Sequence, residues 1–146
     1  MNLHPAIVHF PIALLYAAWL LYIVHMLKVD KRPWGFVAQC ALIGGAVMLV
    51  ASLLTGSMAE DNVAKGSAAA EVLSDHELGG YIVTWLTMML AGWSGWRQSQ
   101  WKRAELGGFI GLLTLLVALM TYSALLGGSL VYEHGIGVTL PAVIPS

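Results

Sequence analysis

Four long apolar runs, parted by short polar segments, organise this chain. They extend from about Pro5 to Leu27, from Trp34 to Ser57, from about Glu77 to Trp96, and from Leu106 to Val131. A bilayer core of ~30 Å needs about 20 apolar residues in helix, and each run meets that length nearly free of charge. Pro5 suits the opening of a helix, where its missing N–H would have no partner anyway. Pro11 lies deeper and cannot donate to the carbonyl of Ile7, so it is expected to loosen or kink the first turns beside His9. The connection from Met58 to Asp75 is the one long loop, and its Ala-rich part from Val63 to Leu73 predicts a short surface helix. The tail from Gly135 to Ser146 contains Pro141 and Pro145, is too short to span, and is expected to lie against the outer face. The pattern predicts one domain over residues 1–146, an all-α integral membrane four-helix bundle with up-down-up-down topology. Each half of that bundle opens with a histidine, which suggests a weak tandem duplication.

Composition agrees with lipid as the solvent. The chain is 58% hydrophobic and 10% charged, where a soluble domain carries about 25% charged residues. A net charge of -1 gives no basic surface for nucleic acid. The single cysteine, Cys40, excludes an internal disulfide and a CxxC metal site; inside an apolar run it reads as a small hydrophobe. No Lys or Arg precedes the first run, so that run is expected to be retained as a helix and not cleaved as a signal.

The placement of charge orients the bundle. Six of the seven basic residues, Lys28, Lys31, Arg32, Arg97, Lys102 and Arg103, fall in the first and third connections beside Asp30 and Glu105, whereas the second holds Glu60, Asp61, Glu71 and Asp75 with Lys65. The positive-inside rule places the first and third connections in the cytoplasm and both termini in the periplasm, with Trp34, Trp93, Trp96 and Trp101 flanking the cytoplasmic side. A bacterial inner-membrane location follows as the expectation.

That topology gathers histidines. His4 and His9 open the first span, His76 the third, and His134 follows the fourth, all on the non-cytoplasmic side; His25 alone lies near the cytoplasmic end. Strongly polar residues are costly in a span and usually face the bundle interior with a function. Taken singly, each histidine is equally explained as an interfacial residue bonded to a carbonyl or water. Neutral imidazole suits haem iron, copper, zinc or non-haem iron. Small residues near the histidines bear on the choice: Gly79 and Gly80 follow His76, Gly127 and Gly128 precede His134, and Ala13 follows His9. They suit either clearance for a flat macrocycle or plain close packing of membrane helices, the latter fitting Gly107 and Gly111 better. His4 and His9 lie ~7 Å apart along a regular helix and about 140° apart around it, so they cannot face one iron alike. The candidate ligands are therefore His4, His9, His76 and His134, enough for one or two bis-histidine haems b or for a non-haem metal. Asp61, Asp75, Glu77 and Glu133 are candidates for orienting an imidazole through its second nitrogen.

The opening His4-Pro5-Ala6-Ile7-Val8-His9-Phe10-Pro11-Ile12-Ala13-Leu14, the pair Asp75-His76 and the closing run from Gly127 to Val138 resemble the motifs of a bacterial membrane-protein family, domain of unknown function 2231. The resemblance covers nearly the whole chain. It implies a four-span protein without an assigned reaction, in a redox setting, since members are at times fused to Rieske iron–sulfur or c-type cytochrome domains. Members often carry a basic residue where this chain has Glu133.

Three functions follow as expectations. The first is a b-type haem electron-transfer protein with bis-histidine ligation near the periplasmic face, serving a c-type cytochrome, a Rieske protein, or a respiratory or photosynthetic complex. The second is a non-haem metal site at the same histidines. The third is a cofactor-free structural subunit of a membrane complex. A quinone near Tyr81 or Trp85 is a further candidate. No GxSxG, P-loop, HExxH or dinucleotide fingerprint occurs, so an electron carrier or subunit is expected in preference to a stand-alone enzyme. No charged residue lies near a span's midplane, which disfavours transport.

Overall fold

In a computed structural model the described residues are 4–27, 33–57, 66–97 and 100–136. They form a short helix α1 (His4–Ile7) and four long ones, α2 (His9–Leu27), α3 (Trp34–Ser57), α4 (Ala68–Arg97) and α5 (Arg103–Tyr132). α2 packs on α3 and α5, and α4 packs on the same two helices, so the four close into an up-down-up-down bundle with α1 set against α2 and α3. The cationic first connection (28–32), Glu60, Asp61, Lys65 and residues 137–146 of the tail lie outside the described residues.

Helix boundaries follow from local chemistry. The chain breaks at Val8, between α1 and α2, where Pro11 offers no N–H to the Ile7 carbonyl. Val8 N still donates to the His4 carbonyl at 3.1 Å, closing the short turn before the helix restarts. The expected surface helix and third span prove to be one continuous helix from Ala68. Nothing between Ala68 and Glu77 breaks a helix: the stretch holds no Gly or Pro, and Ser67 Oγ accepts from Ala70 N at 3.2 Å as a cap. At 30 residues α4 and α5 are each ~45 Å long, more than a bilayer core of ~30 Å, so their ends stand beyond the hydrocarbon.

α2, α3 and α5 are long and apolar enough to cross a membrane. α4 has the length, but Gly79, Gly80, Gly92, Gly95, Thr84, Thr87 and Ser94 dilute its apolar stretch. The distribution of those residues is informative. Thr84, Thr87 and Ser94 are buried, while Ile82, Trp85, Met88, Met89 and Trp96 are exposed. The same inversion holds elsewhere, with Ser52 and Ser123 inside and Phe36, Val47, Leu54, Leu115 and Leu125 outside. Apolar side chains outward and hydroxyls inward is the arrangement that lipid favours.

Each buried hydroxyl is satisfied within the bundle. Ser52, Thr84 and Thr87 donate to the carbonyls four residues back, of Met48, Gly80 and Val83, at 2.8, 2.8 and 2.7 Å. Others tie helices together. Thr121 donates to Val117 O, so Tyr16 donates to Thr121 Oγ1 at 2.7 Å, and Trp19 Nε1 donates to Thr114 Oγ1 at 2.9 Å. Tyr22 and Ser94 share a hydroxyl–hydroxyl bond across the bundle between α2 and α4. At the end holding the α4–α5 connection, Trp93, Trp101 and Phe109 cluster with ring centroids 4.8–5.7 Å apart, and Phe109 meets Tyr22 edge-on. Arg97 bridges Glu105 at 2.5 Å and donates to the Gln100 carbonyl, closing that connection.

Close approach of α2 and α3 rests on Gly45, where a Cβ would stand 2.8 Å from Leu15 Cδ2. Leu15 is fully buried and has no room to retreat. Gly45→Val is expected to destabilise the bundle by about 1–3 kcal/mol, the usual cost of overpacking. Gly92, with open space around its Cα, provides the contrast: Gly92→Ala is expected to leave the melting temperature in detergent unchanged or raised. Equal melting temperatures for Gly45→Val and the parent protein would refute the close contact.

Candidate functional site

At the end of the bundle where α2 and α4 begin and α3 and α5 finish, the helices line a partly open cavity of about 520 Å³. That volume is typical of a small-molecule or cofactor site. Its walls are mostly apolar, with Leu49, Leu53, Val83 and Met120 among them, and His4, His9 and His76 line it together with Glu77, Tyr81 and Thr84.

His76 is held from α5. Its Nδ1 lies 2.8 Å from the Ser123 carbonyl oxygen. A carbonyl only accepts, so Nδ1 carries the proton, and in the neutral ring Nε2 carries the lone pair. Ser123 returns the bond, its Oγ donating to the His76 carbonyl at 3.3 Å. Two glycines make the clasp possible. A Cβ on Gly127 would meet His76 Cε1 at 2.8 Å, and a Cβ on Gly79 would meet Ser123 Oγ at 2.9 Å. The imidazole thus lies on bare backbone of α5, and the serine lies on bare backbone of α4.

His4 is held in a related way from α3. Its Nδ1 is 3.2 Å from Thr55 Oγ1. The Thr55 hydroxyl donates its one proton toward the Ala51 and Ser52 carbonyls, at 3.0 and 3.1 Å, so it accepts from His4 Nδ1–H. The His4 ring lies over Gly56, where a Cβ would come within 3.2 Å of Cε1. α1 owes its position to this contact and to the break before His9.

The remaining candidates separate. His9 lines the cavity although it is exposed. His134 does not line it. Gly135 adopts φ +66 after α5 and turns the chain, so that Ile136 N donates to the Leu130 carbonyl at 2.9 Å. That turn brings Ile136 to the cavity wall in place of His134. His25 lies at the other end of the bundle, over Gly35 of α3. Of the glycines, Gly80, Gly127 and Gly128 line the cavity, whereas Gly79 is taken up by Ser123. Ala13 is exposed and clears no space for His9. The glycine that accommodates each of His4 and His76 therefore belongs to the neighbouring helix and not to the histidine's own.

The Nδ1 atoms of His4 and His76 meet helix oxygens, the Thr55 hydroxyl and the Ser123 carbonyl. Asp75 and Glu133 are exposed, Glu77 lines the cavity, and Asp61 lies outside the described residues. Thr55, Gly56 and Ser123 went unnoticed in the sequence because a hydroxyl or glycine in an apolar run is commonplace there. Among the described residues, no three His, Cys, Asp or Glu side chains are grouped so as to hold a metal ion.

No curated protein and no solved structure matches the chain. The profile of one family does, over residues 1–140, and with it the helical architecture above agrees: the chain belongs to the family described as predicted membrane protein, domain of unknown function 2231 (DUF2231).

Proposed function

We propose that this protein is a membrane b-type haem protein that transfers electrons, as a small subunit or partner of a larger redox complex. The observation that carries the reading is the pair His4 and His76, which approach one ligand-sized cavity from different helices with each Nδ1 tied to a helix oxygen. Fixing Nδ1–H is the usual way a protein sets the tautomer, orientation and basicity of an imidazole that ligates through Nε2. The donor set favours haem over a bare ion. Zinc and copper sites draw three or four donors from the protein, whereas a haem iron needs only two axial ones.

Haem, when bound, supplies reversible one-electron chemistry at its iron. The chain's own residues do the rest. Ser123 O and Thr55 Oγ1 orient the imidazoles, and Gly127 and Gly56 let those rings lie close to the helices. Leu49, Leu53, Val83 and Met120 give the cavity an apolar wall. The site would stand near the periplasmic face of a bacterial inner membrane, within reach of a c-type cytochrome, a Rieske protein or a quinol.

Protein purified from haem-replete cells is expected to give a pyridine haemochrome of the b type in stoichiometric amount, and a sharp reduced-minus-oxidised spectrum. Purified, folded protein with no haem signal would overturn the reading. Orientation has its own check. In a Cys40→Ala background, Ser74→Cys is expected to react with an impermeant maleimide in intact spheroplasts, and Gln100→Cys only after lysis. Both positions are exposed. The opposite pattern would put the cavity on the cytoplasmic side.

A further inference from the structure

The two helical hairpins repeat each other at one spacing. Leu53-Leu54-Thr55-Gly56-Ser57 near the end of α3 returns 72 positions later as Leu125-Leu126-Gly127-Gly128-Ser129 near the end of α5. Met48 and Met120, Ala46 and Ala118, and Gly35 and Gly107 keep the same interval. So do His4 and His76.

The structure follows that interval. The contacts of α2 with α5 have their counterpart in those of α4 with α3, as two hairpins related by an axis along the bundle require. Tyr22 and Ser94, 72 apart, bond directly to each other, as equivalent residues do where they meet on a two-fold axis. The cavity lies on the same axis, since its lining comes in pairs at that interval: His4 with His76, His9 with Tyr81, Gly56 with Gly128.

The histidine anchors end at equivalent carbonyls, though His4 lies over Gly56 and His76 over Gly127, one position before the counterpart of Gly56. Ala51 and Ser123 are 72 apart. In the first half the Ala51 carbonyl accepts from Thr55, whose hydroxyl accepts from His4 Nδ1. In the second half Gly127 stands where the repeat has Thr55, so no hydroxyl intervenes. The His76 ring occupies the space over Gly127 and donates straight to the Ser123 carbonyl. One carbonyl position ends both chains of bonds, once through a relay and once directly.

We infer that the bundle is a duplicated hairpin, and that His4 and His76, as equivalent residues of its two halves, form the axial pair of a single haem in the cavity on the pseudo-two-fold axis. This rests on the haem reading above and decides what that reading leaves open, the pairing and the number. His9 has Tyr81 as its counterpart, and His134 has Asn62, so neither is duplicated as a ligand.

The test compares four single variants, His4→Ala, His76→Ala, His9→Ala and His134→Ala, each purified as the full chain and read by optical and electron paramagnetic resonance spectra. The low-spin bis-imidazole signature is expected to vanish in the first two and to persist in the last two, with one haem per chain in the parent. Where an alanine variant does not accumulate, His4→Met and His76→Met give the same answer, because each converts the signature to that of a histidine–methionine pair. Loss of the signature in His9→Ala or His134→Ala, with His4→Ala unaffected, would overturn the pairing and leave the haem reading standing. A parent protein without haem would overturn both.

Discussion

A bundle whose outer face is apolar has no water with which to satisfy its inner polar groups, and this one constraint explains most of the structure. An unsatisfied donor in hydrocarbon costs several kcal/mol, so the hydroxyl and indole donors of the bundle either return to their own helix or reach across to the next. Ser52, Thr84 and Thr87 do the first. Tyr16, Trp19 and Tyr22 do the second, and so hold α2 against α5 and α4 where apolar packing in lipid gives little preference between neighbours. The imidazoles of His4 and His76 obey the same rule. Their Nδ1 protons must go to an oxygen of a packed helix, and that requirement sets their tautomers before any ligand is considered.

Glycine is the complement of this polar bonding. A ring can reach a backbone or hydroxyl oxygen of the adjacent helix only where that helix lacks a side chain at the point of contact. Gly56 and Gly127 provide such points, each for one histidine at the cavity end, and Gly35 does so for His25 at the other. The histidine and its glycine are therefore one feature spread over two helices. Neither makes sense alone, which is why a mutation at Gly127 would act on His76 as well as on the cavity wall that Gly127 lines.

Much of the architecture was legible in the sequence because lipid imposes a simple rule on it. Twenty apolar residues without charge are a helix, so α2, α3 and α5 fall within a few residues of the apolar runs, and the Pro11 break stands where the missing N–H demands it. The start of α4 was not legible. The polar, Ala-rich residues before Glu77 gave no apolar signal, though nothing in them opposes a helix. At the site, the grouping of His4, His9 and His76 follows from topology alone, since an even number of reversals returns their helix ends to one side. His134 lies at the same end, just past α5, without lining the cavity; Ile136 lines it after the turn at Gly135, and such local backbone geometry is not written in a pattern of spans. The oxygens that fix the histidines were hidden for another reason: Thr55 and Ser123 are ordinary residues whose role depends on what the neighbouring helix presents.

The two halves reach the same end by unequal means, and the inequality has chemical content. His76 donates to a carbonyl, which has no proton to offer, so its tautomer is fixed for any neutral state of the ring. His4 donates to a hydroxyl that itself donates onward. Its anchor is polarised by the bond that Thr55 makes to Ala51, and it can reorient if that bond is given up. Where the first half has Thr55 the second has Gly127, so no hydroxyl intervenes there and His76 Nδ1 lies 2.8 Å from the carbonyl itself. The two imidazoles are thus distinct, one bonded to a main-chain carbonyl and the other to a side-chain hydroxyl. The two anchors also differ in the elements that carry them, since His76 stands on the long helix α4 and His4 on the short segment α1.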